Sequence, residues 1–523
     1  MNQPHTWLIL IKINSQELFA LNILNEINKM EEVLKYLTEE REQQWRIEIR
    51  SRIKTKERTL IERVKMNEEA PDFRNKNAVE VNRGLTMEQA VKESQRCIDC
   101  ANPTCITGCP VNINIPKFLK KIEAGDILGA ASVLKETNTL PAVCGRVCPQ
   151  EKQCEAQCFY TLKLKKEPVA IGYLERFAAD FEQKSGKMSI PEVAQSNNIK
   201  VAAIGSGPAS LAWASDMARF GYDVTVFEAL HEIGGVLKYG IPEFRLPNSV
   251  VDIEIDNMRK MGVKFVTNFI VGKTATFDDL RQKGFEAFFV GSGAGLPRFM
   301  NIPGENYIGI FSSNEYLTRV NLMNAANPEY DTPVISGKNV AVIGGGNTAM
   351  DAVRTAKRLG ADNARIIYRR SINEMPARVE EIKHAQEEGI EFLNLNNPLE
   401  YYADENGRVK SMKVQKMELG EPDSSGRRSP VPVEGSEYFL DTDTVVVSVG
   451  VSPNPLIPAV LKDLKVSRWG TIIVNEENMQ SSIPDIFAGG DIVRGGATVI
   501  LAMGDGRKAA AGMHKFISEK IIK

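Results

Sequence analysis

The sequence predicts an α/β protein: a helical N-terminal region, then two parallel-sheet halves of similar layout, one inserted in the other. Three observations predict it. All eight cysteines fall between Cys97 and Cys158. From Lys200 onward, apolar β-branched runs alternate with helical stretches, the texture of α/β architecture. The layout of Val201–Glu228 recurs at Val340–Arg369: apolar run, glycine-rich turn, helical stretch, second apolar run, charged residue.

A chain of 523 residues has room for three or four domains. With 43% hydrophobic residues, 25% charged and a formal net charge of −2, it reads as a soluble globular protein without a nucleic-acid partner. The apolar run Trp7–Ile11 stops at Lys12, far short of a membrane span. No basic stretch precedes it, so the expectation is a cytoplasmic protein without a secretion signal. Composition changes at Met30-Glu31-Glu32, so residues 1–29 are read as an artefact of start-site choice.

Residues 31–66 are charge-dense, lack Gly and Pro, and space their apolar residues helically. The expectation is a solvated helical face; the alternative is a docking helix for a partner subunit. Asn67–Gly84 is polar and reads as a linker. Thr86 caps a short helix that leads into the first cysteines. Two further helices, Ile115–Ala124 and Asp126–Glu136, break at Gly125. Strands are expected at Val201–Ile204, Val224–Phe227, Ala287–Val290, Val340–Ile343, Arg365–Tyr368 and Thr444–Val449. Residues 401–440 fit strands joined by exposed turns.

The cysteines read C-x2-C-x4-C-x3-C-P (Cys97, Cys100, Cys105, Cys109), then Cys144, Cys148-Pro, Cys154 and Cys158. Disulfides do not suit a protein of the reducing cytosol. Zinc binds C-x2-C pairs, but these groups are long runs rather than two matched knuckles. Cys-Pro closing a tight run is a feature of ferredoxin-like ligation, and thiolates suit iron–sulfur irons. Iron–sulfur ligation leads; zinc and structural thiols remain alternatives. Eight cysteines nominally serve two [4Fe–4S] clusters.

The first echo, Gly205-Ser-Gly207-Pro208-Ala-Ser210 with Glu228 after the next strand, fits a dinucleotide site. Gly205 permits the tight turn. Gly207 lets a pyrophosphate approach the helix N-terminus, and Glu228 is placed for ribose hydroxyls. Ser210 stands where Gly or Ala is usual, which loosens helix–strand packing. The second echo, Gly344-Gly345-Gly346-Asn347-Thr348-Ala349, ends in Tyr368-Arg369-Arg370. Arg369 lies opposite Glu228. An arginine there pairs with a 2′-phosphate, so the expectation is NADPH rather than NADH. The alternative for Arg369 and Arg370 is a solvated strand end. Ile483–Asp491 resembles the second flavin fingerprint of two-dinucleotide flavoproteins. That assigns FAD to the first echo with Gly235, Gly490 and Asp491, and NADPH to the inserted half.

With these motifs, Cys144–Pro149 and Met375-Pro376-Ala377, residues 67–523 resemble the small (beta) subunit of NADPH-dependent glutamate synthase. The module is shared with the N-terminal half of dihydropyrimidine dehydrogenase and the large subunit of ferredoxin:NADP transhydrogenase. The resemblance implies a glutathione-reductase-like division: extension 1–66, helical double-cluster domain 67–197, FAD domain 198–296 and 448–523, NADPH domain 297–447. It implies one cluster on Cys97, Cys100, Cys105 and Cys158, and another on Cys109, Cys148, Cys154 and Glu175. Cys144 is then spare; the alternative for Glu175 is a helix-surface carboxylate. Electrons would pass from NADPH through FAD, the two-electron to one-electron switch, and two clusters to a partner. That partner is a glutamate synthase large subunit or another electron-accepting flavoprotein, with ferredoxin the transhydrogenase alternative, in a hetero- or homo-oligomer. The rival of another class is a zinc-stabilised or redox-inert structural subunit. No general acid or base is needed, and His5, His231, His384 and His514 receive no role.

Overall fold

The computed structural model describes residues 39–522. The expectation for residues 1–29 lies outside the described residues, as does the start of the 31–66 segment.

Two five-stranded sheets dominate, both entirely parallel. The first has the order Ile486–Ala488, Phe285–Val290, Lys200–Ile204, Asp223–Phe227, Lys264–Val266. The second runs Glu391–Asn394, Asn363–Tyr368, Asn339–Ile343, Thr444–Val447, Ile310–Ser312. In each, the chain leaves the central strand on one side and returns on the other. The order therefore reverses beside the strand that carries the glycine turn, where open α/β sheets bind ligands. The expected strands form, buried on both faces, as their near-continuous apolar runs require. The strand begun at Thr444 ends at Val447, two residues early, where Ser448 closes over Gly344. The polar stretch near 401–440 forms antiparallel strands: Asn396–Ala403, Val409–Pro422, Arg428–Pro432 and Tyr438–Asp441. The two crossings between the halves run side by side, Val451–Ser452 pairing with Leu296–Pro297.

Ahead of the sheets lies a helical region. Thr86 Oγ1 accepts from Gln89 N (3.2 Å) and caps Met87–Gln95. Helices Ile115–Glu123 and Ile127–Lys135 are parted by Gly125 at φ +83. Ile171–Ser185 follows the last cysteine. These helices and the first sheet share one apolar core, from Phe118 and Leu134 through Trp213, stacked on Phe289, to Met513. The second sheet has a core of its own around Val342, Met350 and Ile366.

Two expectations for the N-terminal third are corrected. Residues 44–66 are only in part a solvated face: Arg46 and Arg58 are buried and paired with Asp99 and Glu123. Asn67–Gly84 is not a free linker either. Asn67–Glu68 pairs with Asn82–Gly84, and Pro71–Arg74 is a helical turn. Arg74 is buried between Glu387 (2.6 Å) and Glu388 (3.1 Å) of the second nucleotide half. In both cases charge that reads as solvent-seeking is buried in pairs.

That contact belongs to a longer seam. Arg245 meets Asp351 (2.6 Å) and Glu381 (3.1 Å). Arg354 pairs with Glu381 and Glu388, and Arg358 with Glu388 (2.7 Å). The Arg354 and Arg358 guanidiniums lie over the Phe244 ring. Arg378 donates to Arg146 O (2.9 Å) and Gln150 Oε1 (2.8 Å). The guanidiniums hold Glu388 down at about 2 against a burial that would raise it.

Candidate nucleotide sites and metal centres

The two glycine turns repeat one geometry. Gly205 has φ +91, and a Cβ there would lie 2.7 Å from Gly291 O across the reversal point. Gly344 has φ +139, and its Cβ would lie 2.3 Å from Ser448 O. Both positions demand glycine on two counts. Gly207 and Gly346 differ: their φ is ordinary, and a Cβ would meet nothing within 4 Å. Each is the N-cap of a twelve-residue helix, Pro208–Arg219 and Asn347–Arg358. These are helix N-termini with backbone N–H groups kept bare, which suits a pyrophosphate.

Ser210 does not loosen the packing. Gly291 stands opposite, where a Cβ would lie 2.2 Å from Ser210 Oγ. The room expected at position 210 is supplied at 291. Glu228 is buried; Oε2 accepts from Ser206 N (2.8 Å) and Oγ (2.5 Å), and Oε1 from Leu230 N (2.8 Å). The acid thus braces the glycine turn. Gly235, at φ +56, lies against Gly207, with a Cβ position 3.0 Å from Gly207 Cα. Gly490 (φ +78) precedes Asp491, whose Oδ1 accepts from Ala497 N (2.8 Å) and whose carboxyl burial pushes upward. Gly506 lets the last helix, Val499–Ile522, touch Pro208–Arg219 by backbone, its Cβ position 2.1 Å from Ala209 O.

In the second half Asn347 Oδ1 accepts from Arg378 N (2.8 Å), Thr348 is exposed and Ala349 is buried. Arg369 is exposed beyond its strand. Arg370, expected beside it, turns away: it is buried, donating to Asp423 Oδ2 (2.5 Å) and Arg428 O (2.7 Å). The solvated-strand-end alternative fails for Arg370, which anchors the antiparallel sheet, while Arg369 faces solvent.

The cysteines line two neighbouring cavities. Cys97, Cys100, Cys105 and Cys158 line one. Cys109, Cys148, Cys154 and Glu175 line the other. Ile115 and Ile171 border both, and Ile500, on the helix that follows Asp491, borders the second. Glu175 is buried rather than on a helix surface. Burial raises its carboxyl to about 8, although Asn138 Nδ2 donates to it (2.7 Å). Cys144 is buried against Asn138 and Met503 and borders neither cavity.

Burial pushes the thiols upward, Cys97 and Cys109 to about 12 and Cys100 to about 11. Like charges aggravate this: Cys158 beside Cys100, and Glu175 beside Cys109. Four soft or acidic donors converging on one buried space fit a cationic metal cluster, which supplies the missing positive charge and deprotonates its ligands. Glu68, Glu380 and His384 also bring ligand atoms within 4.8 Å. There Arg74 already meets Glu68 (3.3 Å) and Arg378 meets Glu380 (3.1 Å), so this is part of the seam. Sequence spacing gave no sign of that group or of Arg245; only its pairing across 106 residues reveals it.

Two nucleotide-binding halves behind a thiol-lined helical region define a nucleotide-dependent oxidoreductase with an iron–sulfur domain. Residues 74–187 match the family described as dihydropyrimidine dehydrogenase domain II, 4Fe-4S cluster. Residues 199–506 match pyridine nucleotide-disulphide oxidoreductase. The chain is 38% identical over 445 residues to the glutamate synthase [NADPH] small chain of Escherichia coli, covering 84% of this chain and 94% of that one. It is 36% identical over 452 residues to the Azospirillum brasilense small chain, covering 86% and 93%. It is also 38% identical over 445 residues to the E. coli putative oxidoreductase AegA, covering 83% and 67%. Mycobacterium tuberculosis FprA in complex with NADPH shares the fold, with TM-score 0.52 and 20% identity over 62% of this chain and 86% of that one. The chain therefore belongs to the glutamate synthase [NADPH] small-chain family. Among the described residues no helix is long and apolar enough to cross a membrane.

Proposed function

We propose that the chain takes electron pairs from NADPH and delivers single electrons, through two [4Fe–4S] centres, to a glutamate synthase large subunit. One observation carries the reading. Two cavities, each with four ligand side chains, lie edge to edge, and the second touches the helix that follows the flavin fingerprint. In this reading Gly205, Gly207, Pro208, Ser210, Gly235, Gly490 and Asp491 hold FAD, with Glu228 keeping the glycine turn in place. Gly344, Gly346, Asn347, Thr348 and Ala349 hold the NADPH pyrophosphate, and Arg369 its 2′-phosphate; Arg370 acts only by anchoring the sheet. Bound FAD supplies the exchange between hydride and single electrons. The protein's own part is to hold donors and acceptors in order: second cavity toward the flavin half, first cavity toward the surface, where Cys100 and Cys105 are half-buried.

Anaerobic addition of NADPH to the purified protein should bleach a flavin absorbance and develop iron–sulfur EPR signals. Glu175→Ala should disturb one centre and leave the other. Zinc without iron, or flavin that NADPH fails to bleach, overturns the reading. Capture of the native partner tests the remaining element: recovery of a partner other than a glutamate synthase large chain refutes that assignment alone.

A further inference from the structure

Residues 41–58 precede the matched cysteine region, yet they grip the loop of the first cavity. Asp99, between Cys97 and Cys100, is 0% exposed at φ +54. Arg46 Nη2 donates to its Oδ1 (2.6 Å), and Arg46 Nε lies 3.1 Å from Oδ2. Arg50 Nη1 reaches Oδ2 at 3.1 Å, and Arg41 Nε donates to Asp99 O at 2.9 Å. From the opposite side, Lys120 Nζ donates to Cys97 O (2.6 Å). Lys120 shares Glu123 with Arg58, which also donates to Gln95 O (2.7 Å).

The charge count is uneven. Arg46 and Arg50 meet the carboxylate of Asp99 and Arg41 its carbonyl, with Glu42 pairing to Arg41 and Arg50. Two further cations, Arg58 and Lys120, share Glu123, so five cations face three acids. One cation would neutralise each acid. Burying more is costly, and the surplus stands beside four thiols. The second cavity contrasts with this: its own lining carries the acid Glu175.

We propose that Arg41, Arg46 and Arg50, acting through Asp99, are positioning residues of the first metal centre. They fix the Cys97–Cys100 loop, and their surplus positive charge holds that centre's reduction potential above the value its four thiolates would otherwise impose. This rests on reading the first cavity as a [4Fe–4S] site, whose potential follows the net charge and hydrogen bonding around it. The charge acts at short range in a partly dry environment, where screening is weak.

The test is an EPR-monitored redox titration of the full-length, cluster-loaded protein, with the second centre as internal reference. Arg50 and Arg41 are 21% and 24% exposed, so Arg50→Met and Arg41→Met leave little buried space. Each should shift the first centre to more negative potential. Asp99→Asn should shift it to more positive potential, and Arg46→Lys should keep the wild-type value. The second centre should stay put throughout. Opposite signs for cation and anion removal are the signature of charge; a merely structural role would loosen the centre in every variant with one sign. If Asp99→Asn loses the first centre, the two Met variants decide: a negative shift supports the inference, and an unmoved potential overturns it. Shifts of one sign throughout also overturn it. A wild-type protein with no iron in the first cavity overturns both this inference and the metal-centre reading; iron present without a shift overturns the inference alone.

Discussion

Gly344 and Gly346 stand two residues apart, and the structure separates their roles. At Gly344, alanine combines a glycine-only φ of +139 with a Cβ 2.3 Å from Ser448 O. The backbone strain costs about 1–3 kcal/mol, and the forced shift of a neighbouring strand end about 1–3 kcal/mol more. Gly344→Ala should therefore lower stability by about 2–6 kcal/mol. At Gly346 the same methyl meets no protein atom, and φ is −89. Alanine is a poorer N-cap than glycine by about 0.5–1 kcal/mol. The stiffened unfolded chain offsets about 0.4–1 kcal/mol of that. Gly346→Ala should then unfold within about 0.5 kcal/mol of wild type. Its methyl projects into the space a pyrophosphate needs, so the KM for NADPH should rise at least about tenfold, some 1.4 kcal/mol. Chemical denaturation followed by circular dichroism, with steady-state NADPH oxidation against an artificial acceptor, measures both. Wild-type KM in Gly346→Ala, or wild-type stability in Gly344→Ala, refutes the reasoning.

Three further predictions follow from single residues. Burial raises Glu254 from 4.5 to about 7. Its contribution to stability is therefore whole below about pH 4.5 and is lost as pH rises through 7; Glu254→Gln should flatten the stability–pH curve over that window, by up to about 3 kcal/mol. Cys144→Ala should keep the wild-type iron and sulfide content, because Cys144 borders neither cavity, whereas Cys154→Ala should lose iron from the second centre. Arg369→Ala should raise the KM for NADPH far more than for NADH, whereas Arg370→Ala, which leaves Asp423 unpaired, should mainly lower the melting temperature.

The strands around both glycine turns were legible because burial on two faces writes a continuous apolar run into the sequence. Lys264–Val266, Ile310–Ser312 and Glu391–Asn394 were not: three or four residues at a sheet edge carry too little pattern. Buried charge was the main blind spot. Arg46, Arg58 and Arg74 read as solvated by composition, and only their distant acids explain them. Glu175 was reachable through resemblance alone, since nothing in its local spacing separates a cavity carboxyl from a surface one. Ser210 looked like a loss of packing because its compensation, Gly291, lies on another strand.

The seam of buried arginines bears on how this chain can be divided. By sequence it is a string of separable modules. Thermodynamically it is one object, because each module holds the counter-charges of another. Excising the second nucleotide half would strip Arg245 of Asp351 and Glu381, and Arg74 of Glu387 and Glu388. The cut would open the seam to water: Arg245 would lose both of these acids, and Arg74 would keep only Glu68 (3.3 Å). The second nucleotide half is thus tied by buried charge to both other parts of the chain.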